Sequence, residues 1–125
     1  MRPVRLPPGA DLRRALEAVS ASVFVVAGIG SLVEARLRYA GADAETTIPG
    51  PLEILSVSGS LSADGAHLHM AVSDAVGRVY GGHVAYGNII RTTAEVLTAS
   101  LDAWSLTRGH DPSTGFRELF VRLRE

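Results

Sequence analysis

The spacing of apolar residues near the start of the chain is helical. Pro7, Pro8 and Gly9 close a short opening segment, after which Asp11 stands where a helix N-cap would stand. Apolar residues then recur at i, i+3, i+4 and i+7, namely at Leu12, Ala15, Leu16 and Val19. This spacing predicts an amphipathic helix from Asp11 to about Ser22.

From residue 23 onward the pattern changes to one that is typical of β-strands. The β-branched run Val23–Val26 predicts a buried strand, and Gly28–Ser31 predicts a kink at its end. Apolar and charged residues then alternate from Val33 to Arg38, as in a strand with one exposed face. The turn-forming cluster Pro49–Pro51 precedes a further strand from Glu53 to Ser60.

The second half of the chain predicts a hairpin, a helix and a final strand. The hairpin consists of the strand His67–Ser73, the turn Asp74–Gly77 and the strand Arg78–Ala85. A helical spacing from about Asn88 to Trp104 predicts a second helix, and residues 108–115 form a polar loop. The last strand is indicated by the alternating residues Leu119, Val121 and Leu123. We therefore expect a single α+β domain over residues 1–125, with two helices.

Composition and charge limit the possible functions. The 125 residues include 12 basic and 13 acidic side chains, so the net charge of -1 provides no strong positive field for nucleic-acid phosphates. The absence of cysteine excludes disulfides and thiolate metal sites. The longest apolar run, Val23–Ile29, is far shorter than the roughly 20 residues that span a bilayer, and the N-terminus lacks the apolar region of a signal peptide. We expect a cytoplasmic protein with no membrane role.

Three histidines within 17 residues supply the most concentrated chemistry of the sequence. Residues two apart on a strand point to the same face, so His67 and His69 project side by side. If His83 joins them, three imidazoles converge from adjacent strands and suit zinc or another borderline divalent cation. A fourth coordination position would stay open for water or substrate. The alternative is three separate histidines, each satisfied by local hydrogen bonds.

The turn of the predicted hairpin decides whether His83 joins the pair. An acidic residue opens Asp74–Gly77 and glycine closes it, which favours a type I turn followed by a left-handed residue. That turn pairs Asp74 with Arg78. It also sets His83 opposite His69. A tight two-residue loop would instead direct His83 to the other face, because a register step of one residue flips every side chain.

Other candidate site residues are less strongly indicated. Glu53 begins an otherwise small and apolar strand, where its carboxylate could hydrogen-bond a metal ligand or act as a general base near the cation. Its alternative role is that of a hydrogen-bonded carboxylate at a strand edge. Arg91 could lie near the mouth of the same pocket, although a surface arginine needs no function. His110, in the polar loop, is expected to be structural or exposed to solvent.

Five segments, in this order, resemble the plants-and-prokaryotes conserved (PPC) domain. They are LPPGADL at 6–12, AGIGS at 27–31, LEILSVSG at 52–59, the stretch from HLH to GGH at 67–83, and DPSTG at 111–115. The resemblance covers nearly the whole chain. It implies an α+β fold with a strongly bent, largely antiparallel sheet, and a homotrimer in which sheet edges pair between subunits.

The same resemblance carries two functional implications. Plant members act in transcription behind AT-hook segments, whereas this chain has no Arg-Gly-Arg-Pro hook and no basic stripe that would support DNA binding. The prokaryotic form resembled here keeps the histidines at His67, His69 and His83, which plant members generally lack. A looser similarity, limited to the ligand pattern, extends to the zinc enzyme acetolactate decarboxylase.

Three hypotheses follow from the sequence. The first is a homotrimer that binds one divalent cation per subunit, zinc being favoured, through His67, His69 and His83, with Glu53 nearby. The second is a metal-dependent lyase or hydrolase acting on a small oxyacid, in which the cation polarises a carbonyl and Glu53 moves a proton. The third is a DNA-binding or transcription-associated regulator, as the family description suggests.

Overall fold

Eight β-strands and one short helix make up the structure, a computed structural model that describes residues 1–125. In chain order the elements are β1 (Arg2–Leu6), α1 (Leu12–Glu17), β2 (Val23–Arg38), β3 (Thr46–Ser62), β4 (Gly65–Ser73), β5 (Val79–Val84), β6 (Ile90–Ser100), β7 (Trp104–Asp111) and β8 (Phe116–Leu123). The predicted, mostly antiparallel sheet is confirmed, and the helical content is small.

Six of the strands form one antiparallel sheet that partly closes on itself. Their order is β1-β6-β2-β3-β4-β5. The end of β5 returns to β2, where Val84 pairs with Leu37 and His83 with Arg38. The strands β2, β3, β4 and β5 therefore form a closed ring. As a result, the β4–β5 hairpin is joined to the rest of the sheet along both of its edges.

The two longest strands, β2 and β3, are bent by changes in their pairing register. The pairing of β2 with β6 shifts at Val25–Ala27 and at Gly30–Leu32, and the pairing of β3 with β4 shifts at Ile54–Ser56. An extra residue at such a position bends the strand and increases its twist. The glycine kink predicted at Gly28–Ser31 thus lies within a single continuous strand of 16 residues.

The inner face of the sheet carries the hydrophobic core. Twenty buried apolar side chains form one cluster, to which β2, β3, β4 and α1 contribute the following leucines: Leu12, Leu16, Leu32, Leu37, Leu52, Leu61 and Leu68. Burying one such side chain stabilises the fold by roughly 1.5–3 kcal/mol. Because strand side chains alternate between faces, His67 and His69, which flank the buried Leu68, point away from the core and are free for polar chemistry.

Helix α1 begins where the sequence predicts but ends earlier than Ser22. The carboxylate of Asp11 caps it by accepting a hydrogen bond from the backbone N–H of Arg14 at 3.2 Å. The last turn tightens as the N–H of Val19 donates to the carbonyl of Leu16 at 3.0 Å, and Ser22 then takes a left-handed φ of 58° before β2. No helix of the structure has the length and apolar character that crossing a membrane requires.

The prediction of a second helix from Asn88 to Trp104 is wrong, because this segment forms strand β6. It pairs with β1 on one side and with β2 on the other. Its buried residues alternate as Ala94, Val96 and Thr98, which is the period of a strand. Hydrogen bonding of β6 to a strand on each side overrides the helical spacing of its apolar residues.

The predicted polar loop at 108–115 is shorter than expected. Strand β7 continues to Asp111, and the turn occupies residues 112–115, where Gly115 has a φ of 78°. The final strand is confirmed as β8, which pairs with β7 as a two-stranded ribbon. Much of this ribbon is exposed and carries polar residues, which is why residues 108–115 suggested a loop in the sequence. Leu106 attaches the ribbon to the domain, since it is buried and its N–H donates to Ser22 Oγ at 3.2 Å.

Asn88 holds the chain that leaves β5 against β2. Its side chain is fully buried and bonds only to backbone groups. The amide oxygen accepts from the N–H of Arg36 at 2.9 Å, and the amide nitrogen donates to the carbonyls of Arg36 at 3.0 Å and Ala85 at 2.9 Å. These bonds continue the link between the two strands beyond the pair formed by Leu37 and Val84.

We expect Asn88→Ala to lower the free energy of unfolding by roughly 3 kcal/mol, because the N–H of Arg36 and the carbonyl of Ala85 each lose this partner at about 1–3 kcal/mol, while the carbonyl of Arg36 keeps the N–H of Ala85. Urea unfolding followed by circular dichroism measures this change. Asp102→Ala, at an exposed turn position, is the control and should change stability by no more than about 0.5 kcal/mol. A loss below about 1 kcal/mol for Asn88→Ala would contradict the role given to this side chain.

Candidate metal centre

The turn between β4 and β5 sets the relative position of the histidines. The N–H of Gly77 donates to the carbonyl of Asp74 at 3.1 Å, and Gly77 has a φ of 85°. The N–H of Asp74 donates to the carbonyl of Arg78 at 3.0 Å. This is the predicted type I turn followed by a left-handed glycine. It places His69 opposite His83, and the alternative of a two-residue loop is wrong.

The three imidazoles converge on one face of the hairpin. One ring nitrogen from each histidine lies within 4.8 Å of the others. The ring centroids are 4.5 Å apart for His69 and His83, 5.1 Å for His67 and His69, and 5.5 Å for His67 and His83. The convergence predicted from the even spacing of His67 and His69 and from the hairpin register is confirmed.

Alternation along β4 separates this cluster from the core. Leu68 and Met70 are buried, whereas His67 and His69 on the opposite face are exposed. Behind them, β3 lies very close to β4 at Gly59, where an added Cβ would overlap the carbonyl oxygen of His67. Gly59 also has a φ of 147°, which side chains disfavour. The backbone of the cluster is therefore fixed, while its rings remain accessible.

The surroundings of two of the rings favour their neutral form. Partial desolvation lowers the pKa of His67 below its ordinary value of 6.5, and the positive charges of Arg108 and the other two imidazoles lower it further. Desolvation also lowers the pKa of His83, with contributions from Arg38 and His69. A neutral ring keeps the lone pair that a metal ion requires.

Arg108 of β7 contacts the cluster and was not among the predicted site residues. Its Nη2 donates to Ser60 Oγ at 2.9 Å and to His67 Nδ1 at 3.0 Å. Its backbone N–H donates to Asp64 Oδ2 at 2.7 Å, which holds this part of β7 in place. Arg108 is 41 residues from His67 along the chain. Its position depends on where the β7–β8 ribbon packs, and no local pattern of the sequence indicates that.

A cleft of about 700 Å³ opens beside the histidines and is partly lined by the β7–β8 ribbon. Its lining includes His67, His83, Arg38 and Arg108. Glu118 of β8 also lines the cleft, and it lines an adjoining pocket together with His67 and His69. Arg38, Arg108 and Glu118 thus lie around the cluster, although the sequence analysis named none of them as a site residue.

The structure does not bring Glu53 to the cluster. Glu53 pairs with Ser31 of β2 and with Ser73 of β4. Ser73 is four residues from His69 along the strand, or roughly 13 Å at about 3.3 Å per residue. Because β3 and β4 are antiparallel, the early part of β3 lies beside the turn of the hairpin, whereas the histidines lie toward its open end.

The remaining candidate residues lie outside the cleft. Arg91 is an exposed residue of strand β6, which replaces the predicted second helix. His110 is exposed on β7, as expected for a solvent-facing histidine, although it lies in a strand. Neither residue lines the cleft beside the histidines.

The donor set of the cluster fits a divalent cation. Three imidazole nitrogens are ligands that zinc accepts at about 2.0–2.1 Å, which places the nitrogens of one tetrahedral site about 3.4 Å apart. Modest rotations of accessible side chains would bring nitrogens now within 4.8 Å to that spacing. In the described arrangement, however, His67 Nδ1 is engaged by Arg108. Use of that atom as a ligand therefore requires Arg108 to move.

Together these features define a small, mostly antiparallel β protein with an outward-facing cluster of three histidines. The family model for the Plants and Prokaryotes Conserved (PCC) domain matches residues 2–102. The chain belongs to this family, and the resemblance to the PPC domain is thereby confirmed.

Relatives in sequence and structure agree with this assignment. The bifunctional protein GlmU of Synechococcus sp. (strain JA-3-3Ab) is 44% identical over 124 residues, which cover 95% of this chain and 20% of that protein. This chain thus spans about a fifth of the length of that relative. A hypothetical protein from Salmonella enterica has a structure with a TM-score of 0.95 and 35% identity, covering 99% of this chain and 94% of that one.

Two other solved structures carry functional descriptions of their own. A metal-containing protein from Archaeoglobus fulgidus matches with a TM-score of 0.74 and 27% identity, over 95% of this chain and 91% of that one. A protein from Ralstonia eutropha, for which DNA binding has been suggested, matches with a TM-score of 0.83 and 20% identity, over 96% and 90%. At 20% identity, this structural similarity shows a shared fold and nothing about function.

In the metal-free protein we expect His67 and His83 to be half-protonated below pH 6.5. As the pH falls below 6.5, these histidines are protonated in the unfolded chain before they are protonated in the folded protein. The free energy of unfolding therefore decreases. NMR titration of the imidazole signals measures both pKa values. Arg108→Met should raise the pKa of His67 by removing a nearby positive charge and should affect His83 less. A wild-type His67 pKa above 6.5 would contradict this.

Proposed function

We propose that each chain binds one divalent cation, with zinc favoured, through His67, His69 and His83. The observation that carries the proposal is the pairing of His69 with His83 across the hairpin, which adds a third ring to the pair on β4. Three neutral nitrogen ligands leave a fourth position for water or a small molecule, as in catalytic zinc sites. Such a cation would act as a Lewis acid.

The comparisons support a metal role more than a DNA role. The Archaeoglobus fulgidus protein is described as metal-containing and is 27% identical to this chain. The suggestion of DNA binding belongs to a structure that is 20% identical. The net charge of -1 gives this chain no general attraction for phosphate backbones. We therefore do not extend the DNA-binding description to it.

A metal-dependent lyase or hydrolase that acts on a small oxyacid is the second candidate function. It is favoured by the cleft, whose lining places Arg108 and Glu118 beside His67. Glu118 is better placed than Glu53 for a proton-transfer role, because Glu53 lies at the other end of the hairpin. The similarity to acetolactate decarboxylase remains a prediction from the ligand pattern.

Purified protein incubated with zinc and dialysed is expected to retain about one ion per chain, as measured by plasma mass spectrometry. His67→Ala/His69→Ala should retain none, because one imidazole alone cannot hold the ion. His110→Ala is the matched control, since this exposed histidine lies outside the cluster, and it should keep the full metal content. Equal retention by the double variant and the wild type would exclude the site, and so would a wild type that retains no zinc.

We also propose that the chain assembles as a homotrimer. Several apolar side chains on the outer face of β2 and β3 are 46–55% exposed, namely Val26, Ile29, Val33 and Leu55. The pairing of Gly30 with Ile54 places Ile29 beside Leu55. Ile29 also lines an apolar groove of about 600 Å³ formed with β1 and β6. Exposed apolar side chains on one region of the sheet are typical of a surface that other chains cover, and the number of three chains is what the family resemblance implies.

Light scattering coupled to gel filtration is expected to give a mass of about 40 kDa, three times the 13.2 kDa of one chain. Ile29→Glu should shift the mass toward that of the monomer, because it places a charge in a desolvated contact. Val76→Glu introduces the same charge at an exposed position of the hairpin turn and should leave the assembly intact. A monomeric wild type, or an unaltered mass for Ile29→Glu, would contradict the proposed interface.

Residues 1–125 are proposed to act as one domain, although the family match ends at residue 102. The ribbon beyond that point contributes Arg108 to the cluster and Leu106 to the buried interior. The Salmonella enterica structure also covers 99% of the chain. A cytoplasmic location remains a prediction from the cysteine-free composition.

A further inference from the structure

Two arginines beside the histidine cluster have no carboxylate partner. Within 4.0 Å, the ion pairs of the chain are those of Arg13 with Glu17 and of Arg117 with Asp64. Arg38 donates instead to the backbone carbonyl of Ala42 at 3.3 Å, and Arg108 donates to a hydroxyl and an imidazole. A guanidinium remains charged at all ordinary pH values, so both residues present to the cleft a positive charge that no carboxylate contacts within 4.0 Å.

Three carboxylates and three arginines line the cleft, so its formal charges balance while no cation is bound. Asp64 is already engaged, because it accepts the backbone N–H of Arg108 at 2.7 Å. Asp43 and Glu118 line the cleft but form no ion pair within 4.0 Å. A divalent cation on three neutral imidazoles would add two further positive charges. The cleft would then have a net positive charge in a partly enclosed space, which favours an anionic ligand.

The hydrogen bond between Arg108 and His67 links the cation to this anion site. A guanidinium can only donate, so His67 Nδ1 must accept, and the neutral ring then carries its proton on Nε2. Neither nitrogen of His67 is free in this arrangement. His67 can therefore offer its Nδ1 lone pair to a cation only after Arg108 has withdrawn. The withdrawn guanidinium would be left charged and without this acceptor, at the wall of the cleft.

We propose that the cleft binds a small oxyanion, a carboxylate or a phosphate, through Arg108 and Arg38, and that Arg108 leaves His67 to do so. The proposal rests on the proposed function, because cation binding at His67 is what releases Arg108. The forked donors of a guanidinium match the paired oxygens of carboxylate and phosphate groups. A volume of about 700 Å³ is that of a pocket for a small molecule.

The first measurement is the affinity for Co²⁺, determined by calorimetry on the full chain. Arg108→Met keeps an unbranched apolar side chain in place of the arginine stem but removes both the charge and the donor to His67. Its affinity for Co²⁺ is expected to equal that of the wild type or to be up to about tenfold higher, because a competitor for Nδ1 is gone. A merely structural Arg108 predicts the opposite, namely a loss of Co²⁺ affinity, and that result would overturn the proposal.

The second measurement is anion binding to the Co²⁺-loaded protein, followed by its visible absorption and by calorimetry. Inorganic phosphate and acetate are the two probes. We expect saturable binding of at least one of them, weakened about 10- to 100-fold in Arg108→Met, because a charge-assisted hydrogen bond is lost. Arg38→Gln should weaken the same binding and provides the test if Arg108→Met does not fold. Arg91→Gln, an exposed arginine outside the cleft, is the matched control and should bind as the wild type does.

The outcomes separate this inference from the proposed function. Tighter binding of phosphate assigns the ligand to the phosphate-bearing class, and tighter binding of acetate assigns it to the carboxylates. If the wild type binds Co²⁺ but neither probe, or if both arginine variants bind the probes as tightly as the wild type, the oxyanion site is disproved and the metal site stands. If the wild type does not bind Co²⁺ or zinc, the proposed function fails, and this inference fails with it.

Discussion

The pairing of β5 with a strand on each side is the constraint on which the histidine cluster depends. β4 determines which residue of β5 faces His69, and β2 holds the end of β5 through the pair formed by Arg38 and His83. A shift of one residue in either pairing would turn His83 to the opposite face. The three rings are therefore brought together by backbone hydrogen bonds and by the buried amide of Asn88, which do not require a metal ion.

The sequence predicts those features of the site that depend on residues close together along the chain. The shared face of His67 and His69 follows from the period of a strand, and the place of His83 follows from the residues of one turn. The turn prediction was possible because Asp74 and Gly77 have specific conformational preferences at those positions. The bent antiparallel sheet was available only from the resemblance to a family, since local patterns do not determine which strands pair.

The features that the sequence did not predict all depend on contacts between distant segments. The spacing of Ile89 or Ile90, Val96 or Leu97, and Leu101 suits a helix. Strand β6 is nevertheless inserted between β1 and β2, and its buried residues alternate as Ala94, Val96 and Thr98. Glu53 was expected near the cation, although antiparallel pairing carries it to the turn of the hairpin. Arg108 reaches His67 from 41 residues away, through a ribbon whose polar residues suggest a loop.

Through Arg108, binding of the proposed cation and binding of the proposed oxyanion are coupled. While Nη2 of its guanidinium donates to His67, one of the three ligands is unavailable, and that nitrogen is not free to bind an anion in the cleft. An oxyanion that binds Arg108 in its withdrawn position stabilises that position and thereby frees His67. Thermodynamic linkage then requires each ligand to raise the affinity for the other by the same factor. A site built in this way would bind its cation most tightly when the small anion is present, although the two ligands need not touch.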